Sequence, residues 1–180
     1  MESTKTRILK KLLETDGYLS GQELCEQLGV SRTAVWKYMK QLKGEGYEIE
    51  AVQNKGYCLK DVPDVLGESE IKSRLHTRWA GQTLYYYDEI DSTNTQIKRL
   101  AEEDAPHGTL AVADYQSRGK GRRGRAWDSP HGSAIYMSIL FRPEIRPDRA
   151  SMLTLVIGLS VTQAIRSNLG LQAQIKWPND

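Results

Sequence analysis

A chain of 180 residues has room for one large or two small domains, and its 39% hydrophobic and 27% charged content is that of a globular protein, not a disordered tail. The formal net charge of +2 excludes a strongly basic or acidic coat. Met1 to Lys5 holds no apolar stretch, which predicts no secretory signal, and the apolar-rich run Met152–Val161 is too short and interrupted to span a bilayer. Cys25 and Cys58 stand far apart, with no Cys-x-x-Cys or His/Cys cluster near either. That pattern speaks against a disulfide framework or zinc site and for a reducing cytoplasm.

The small net charge hides an uneven distribution. Residues 1–60 carry ten Lys/Arg against eight Asp/Glu, whereas five cations crowd between Arg118 and Arg125. In chain order, Ile8, Leu9, Leu12 and Leu13 recur at helical spacing and predict a helix from about Thr4 to Thr15, stopped by Asp16-Gly17. Ser20 followed by Glu23 is a capping-box pattern that opens a short helix through Leu28, and Gly29 stands where a tight turn needs positive φ. Ser31 caps a third helix that turns Val35, Met39 and Leu42 inward and ends near Gly44-Glu45-Gly46. Tyr47–Val52 alternates as a strand, Asn54-Lys55-Gly56 is a turn, and Tyr57–Leu59 returns. Helix, turn, helix and β-ribbon make a winged helix-turn-helix over residues 1–60.

Residues 61–67, with Pro63 and Gly67, read as a linker. Over 68–180 the pattern predicts a helix (Glu68–Leu75), a strand (Leu84–Tyr87), a helix (Thr93–Glu103) and a strand (Thr109–Tyr115). A Gly/Arg loop (Gln116–Ser129), a strand (Ser133–Phe141), a long apolar helix (Arg149–Leu169) and a last strand (Gln174–Trp177) follow. Such a mixture belongs to an α+β sheet domain. The stop at Asp180, directly after a strand, predicts a fragment of a longer protein.

Four segments carry chemistry. A recognition helix needs short polar and cationic side chains in its first turn, and Ser31, Arg32, Thr33 and Lys37 supply them, with Lys55 at the ribbon tip placed to track a phosphate. The alternative is a helical domain used for protein contacts. Asp91-Ser92-Thr93-Asn94 lies between strand and helix, where it reads as an N-cap that can also present amides to a polar ligand. Gln116-Ser117-Arg118-Gly119-Lys120-Gly121-Arg122-Arg123-Gly124-Arg125-Ala126-Trp127 combines glycines that let backbone approach a ligand with cations that neutralise phosphate. It fits neither a Walker A loop nor a Rossmann fingerprint, and an exposed RNA-binding arm is its plainer reading, though Trp127 can stack on a base. Lys176-Trp177-Pro178-Asn179-Asp180 ends a strand, where a lysine is ordinarily solvated. His76, His107 and His131 show no ligand spacing, and no metal ligand set is predicted.

In this order the helix-turn-helix, Asp91-Ser92-Thr93-Asn94, the Gln116–Trp127 loop and Lys176–Asp180 resemble the bacterial biotin–protein ligases that also repress the biotin operon. The resemblance runs from about Thr4 to Asp180. It implies a mixed-sheet catalytic domain of the biotin/lipoate ligase type, here only its N-terminal part. It further implies ATP-dependent formation of biotinoyl-5′-AMP, with Mg²⁺ accompanying the nucleotide, and transfer of biotin to a lysine of the biotin carboxyl carrier protein of acetyl-CoA carboxylase. Operator DNA is the second implied partner, and the family acts as a homodimer.

Carried over motif by motif, Ser92, Thr93, Asn94 and Gln116 would line the biotin site. Lys120, Gly121 and Arg122 would belong to the loop folding over biotin and adenylate, with Arg123 and Arg125 near the phosphate and Trp127 against adenine. Lys176 and Arg122 would be the catalytic cations, Lys176 bridging the biotin carboxylate and α-phosphate. Lys120 stands where the family usually has arginine. On this reading the chain alone would not complete transfer. A ligand-sensing regulator without catalysis is the rival from another class, and a lipoate or other acyl-adenylate enzyme is a third possibility.

Overall fold

The computed structural model describes residues 3–176, with the side chain of Arg122 excepted. It divides into two compact units, residues 1–141 and 142–180. Within the first, Ser3 accepts the Thr6 amide and opens helix α1 (Thr4–Glu14), which buries Ile8, Leu9 and Leu12. Ser20 accepts the Gln22 amide at 3.2 Å and starts α2 (Gly21–Leu28). The predicted capping box does not close: Glu23 instead accepts from Gln27 one turn on, a pairing its helical spacing favours. Gly29 adopts the left-handed conformation at φ +67° and lets its amide return to the Cys25 carbonyl, so the chain turns at once into α3 (Arg32–Gly44). Ser31 caps α3 by accepting the Ala34 amide at 3.2 Å.

Strands β1 (Glu48–Val52) and β2 (Gly56–Asp61) form an antiparallel wing with Val52 opposite Gly56, turned by Asn54 at φ +64°. Leu24 and Leu42 are fully buried beside Ile8 and Leu9, each worth about 1.5–3 kcal/mol as apolar area removed from water. Leu19 bridges to Tyr57 through two backbone hydrogen bonds of 2.8 and 2.9 Å, which fasten the wing to the segment before α2. Tyr47, at the foot of the wing, donates to Glu70 at 2.6 Å on α4 (Glu68–Ser73).

Strands β3 (Leu84–Ile90) and β4 (Leu110–Gln116) are parallel and joined through α5 (Thr93–Glu102), while β7 (Tyr136–Ile139) runs antiparallel on the other side of β4. The sheet is therefore mixed, in the order β3-β4-β7. Ala111, Val112 and Ala113 make the central strand continuously buried, and Ile97, Leu100 and Ala105 of α5 and the turn after it pack with Ala111. Between β4 and β7 the predicted open loop is a small hairpin, β5 (Gly119–Lys120) against β6 (Ala126–Trp127).

In the second unit, Pro147–Arg149 forms a 3-10 turn, so α6 begins only at Met152 and runs to Leu169. Gly170 ends it in the left-handed conformation. The expected strand at Gln174–Trp177 is a correction: residues 174–176 are irregular, with no ladder partner among the described residues, and a strand exists only through its ladder. Residue 177 lies outside the described residues. No helix of the described residues is long and apolar enough to cross a membrane.

Candidate functional site

Two surfaces of the first unit gather the predicted residues. On the winged helix, Arg32, Thr33 and Lys37 project from α3 into solvent. Arg32 Nη2 donates to Gln22 at 2.9 Å, and these two side chains line a cleft of about 420 Å³ with Asn54 and Lys55 of the wing. Ser31 spends one lone pair on its cap but keeps its own proton to donate. Lys55 lies over the Tyr18 ring at 5.5 Å, beside Glu50, which accepts from Tyr18 at 2.7 Å and Lys60 at 3.0 Å. Those hydrogen bonds hold the Glu50 carboxyl below its usual range. The wing thus holds its cation over an aromatic face, in the same cleft as Arg32 of α3.

The second surface is built at the start of α5. Asp91 or Ser92 was expected to satisfy the amides at the helix start; Asp91 accepts the Ser92 amide, while the Ser92 side chain makes no cap bond. Gln116, from the end of β4, does this work: its Oε1 accepts from the Thr93 amide at 2.8 Å and from the Thr93 hydroxyl at 3.2 Å. Thr93 Oγ1 also pairs with Ser138 on β7 at 3.0 Å, and Gln116 Nε2 donates to Ser129 at 3.0 Å. One amide side chain therefore joins α5, β4 and the segment after the hairpin, and Thr93 carries the link on to β7.

Three polar groups there have capacity to spare among the described residues, the buried Thr95 hydroxyl being one of them. Ser92 is 1% exposed and its hydroxyl has no partner among the described residues, a costly state for a buried polar atom. Gln116 keeps a second Nε2 proton beyond the one given to Ser129. Asp91 anchors the turn: it accepts the Ser92 amide at 2.8 Å and takes Arg99 at 2.8 Å, and the guanidinium holds its carboxyl below the ordinary range.

The hairpin stands on the same base. Ser117 and Arg118 amides donate to Ile90 and Asp91 carbonyls at 2.9 and 2.8 Å, extending the parallel ladder, and the Gly121 amide closes on Arg125 at 2.8 Å. At the tip Arg123 is left-handed at φ +55°, a strained setting for a non-glycine residue. Lys120, Arg123, Arg125 and Trp127 are exposed, Trp127 by 62%, and Asn94 is exposed in the first turn of α5. Gly121 is half-buried, and the side chain of Arg122 lies outside the described ones. Lys176 belongs to the second unit, at the end of the described residues and in no helix or strand; residues 177–180 of its motif lie beyond them. Ser129 and Ser138 were missed by sequence reasoning, since a serine after a turn or within a strand carries no signal until its partner is known.

Residues 86–180, more than half of the chain, match the biotin/lipoate A/B protein ligase family. The chain belongs to that family. Residues 4–58 match a helix-turn-helix domain. The chain is 46% identical, over its whole length, to 56% of the bifunctional ligase/repressor BirA of Bacillus spizizenii. The same-named protein of Escherichia coli is 36% identical over 94% of this chain and 51% of that protein. A solved biotin protein ligase from Aquifex aeolicus, in complex with biotin and ATP, is 38% identical over 55% of this chain and 40% of that one, with a TM-score of 0.47. The chain thus spans about half the length of the curated relatives it matches.

Within the ligase family, the motif residues Ser92, Thr93 and Gln116 are the ones this fold ties into one polar cluster.

Proposed function

We propose that this sequence is part of an ATP-dependent biotin–protein ligase that also represses the biotin operon. Residues 1–60 are its DNA-binding head, 61–67 its linker and 68–180 the first part of its catalytic domain. Because the relatives are nearly twice as long, the activity is that of the whole protein.

The observation that carries the ligase half is that Ser92 and Gln116 are among the unspent groups at the start of α5. The ureido head of biotin offers one carbonyl acceptor and two N–H donors. The spare Gln116 N–H and the Ser92 hydroxyl are the complementary donor and donor–acceptor. Thr93 and Asn94 complete that rim. The hairpin would close over the ligand, Lys120, Gly121 and Arg122 against biotin and adenylate, Arg123 and Arg125 toward the phosphate, and Trp127 on adenine. The biotin carboxylate attacks the α-phosphate of ATP and pyrophosphate leaves. The carrier lysine, as free amine, then attacks the acyl carbon and AMP leaves. Lys176 and Arg122 offset the negative charge that builds on the phosphate.

Among the described residues no three acidic, histidine or cysteine side chains gather to hold a metal, so Mg²⁺ in this reading arrives on the ATP phosphates, the usual manner for that ion. The carrier is the biotin carboxyl carrier protein of acetyl-CoA carboxylase, the acting form is a homodimer, and the compartment is the cytoplasm.

The test is joint. The whole protein should attach labelled biotin to a carrier domain and retard operator DNA in a gel. Binding should weaken steeply with salt, because the counterions that the protein's cations displace from phosphate gain less by release into a saltier solution. Arg32→Ala is expected to cost about 1–3 kcal/mol of operator affinity, the worth of a base-edge contact. Equal affinity of the native protein for operator and random DNA would remove the repressor half.

A further inference from the structure

Ser129 lies two residues beyond β6 and in no helix or strand, yet it is 2% exposed. Its hydroxyl accepts from Gln116 Nε2 at 3.0 Å and donates to the Trp127 carbonyl at 3.3 Å, while its own carbonyl accepts the Gln116 amide at 3.2 Å. Proton bookkeeping fixes the direction of every bond. The Thr93 amide can only donate, so the Gln116 atom facing it is the carbonyl oxygen, and Nε2 must face Ser129. Thr93 Oγ1 gives its proton to that oxygen, so Ser138 donates to Thr93. A flipped Gln116 would set its NH₂ against the Thr93 N–H and strip the Trp127 carbonyl of its partner. Ser129 is one of the two stops that prevent the flip.

We infer that Ser129 is a positioning residue for Gln116, aiming the remaining amide proton at the carbonyl of a cyclic-urea ligand and tying that aim to the hairpin. The inference rests on the ligase reading above. Without the Ser129 hydroxyl, Gln116 is held only through its oxygen by Thr93, and its Nε2 end loses one of its two stops. The same loss removes one bond to the Trp127 carbonyl, while β6 stays paired with β5 at Gly119. Gly119 packs so closely that a Cβ there would lie 2.6 Å from Ser129 Oγ, so the hairpin and the head-group site share this hydroxyl.

The experiment is a double-mutant cycle in the whole protein, with biotin titrated from nanomolar to millimolar against native, Ser129→Ala, Gln116→Ala and the double variant. Ser129→Ala should weaken biotin about three- to ten-fold, the net worth of one neutral hydrogen bond. In the Gln116→Ala background the same change should cost nothing, because its effect passes through Gln116. Ser129→Cys keeps the volume but offers only a weak acceptor, and should match Ser129→Ala. Equal losses in both backgrounds, native affinity in Ser129→Ala, or native affinity in Ser129→Cys would each overturn the inference while leaving the ligase reading intact. A native protein that melts cooperatively but binds no biotin would remove that reading, and the inference with it.

Discussion

Gly56→Ala should destabilise the winged helix by about 3–4 kcal/mol, a large part of the 5–15 kcal/mol that holds a typical domain together. Gly56 sits at φ +112°, where an alanine is strained by about 1–2 kcal/mol. Its Cβ would lie 2.2 Å from the Leu19 carbonyl oxygen and 2.8 Å from Ser20 Cα, both backbone and neither able to yield cheaply. Relief of the clash must part Leu19 from Tyr57 and break two hydrogen bonds worth about 1 kcal/mol each. Since that bridge also fixes the entry to α2 against the wing, operator binding should fall with stability. Gly29→Ala is the control: the residue is left-handed at φ +67° but a Cβ there meets nothing within 4 Å, so only about 1 kcal/mol is expected. Urea denaturation of the three proteins separates the cases, and equal midpoints for the two variants would refute the bridge argument.

Gly119→Ala should lower biotin transfer about 100-fold with little change in melting temperature. Here φ is unexceptional and the obstacle is purely steric: the Cβ would stand 2.3 Å from the Trp127 carbonyl oxygen and 2.6 Å from Ser129 Oγ. Ordinary contact requires about an ångström more, and a shift of that size at a catalytic constellation costs on the order of 100-fold. The hairpin arms are two residues each and bury little, so global stability should hardly respond. Gly121→Ala meets Arg125 O only at 3.2 Å, which a few tenths of an ångström relieves, and should lose no more than a few-fold. Native transfer rates in Gly119→Ala would show that the hairpin geometry does not matter to the site.

How much of this was legible beforehand follows from which forces are local. The helices of the head announced themselves through apolar period and serine caps, and Ser31 does cap α3 as its position before Arg32 suggested. The wing was readable because Asn54-Lys55-Gly56 separates two short alternating runs. The pairing β5 with β6 was not, since arms of two residues show no alternation, and the Arg123 φ of +55° is imposed by closure of the turn. At α5 the motif gave the right place but not the acceptor of the Thr93 amide: that is Gln116, 23 residues away, a tertiary event that local capping rules cannot foresee. Ser92, Thr93 and Gln116 entered as a group only through family resemblance, and the fold supplies the bonds among Gln116, Thr93, Ser129 and Ser138 that spacing could not. The strand expected at Gln174–Trp177 had the residue types of a strand, but residues 174–176 have no neighbour to pair with among the described residues.

In the function proposed above, the polar cluster at the start of α5 reads biotin for adenylation. Biotin-dependent ATP–pyrophosphate exchange by the whole protein tests it most directly, because exchange reports the first chemical step without any carrier or DNA. Exchange should be stimulated by biotin, not by lipoate, which lacks the ureido group, and should be strongly reduced in Gln116→Ala. A folded native protein whose exchange is indifferent to biotin, or a Gln116→Ala variant that exchanges at the native rate, would contradict it.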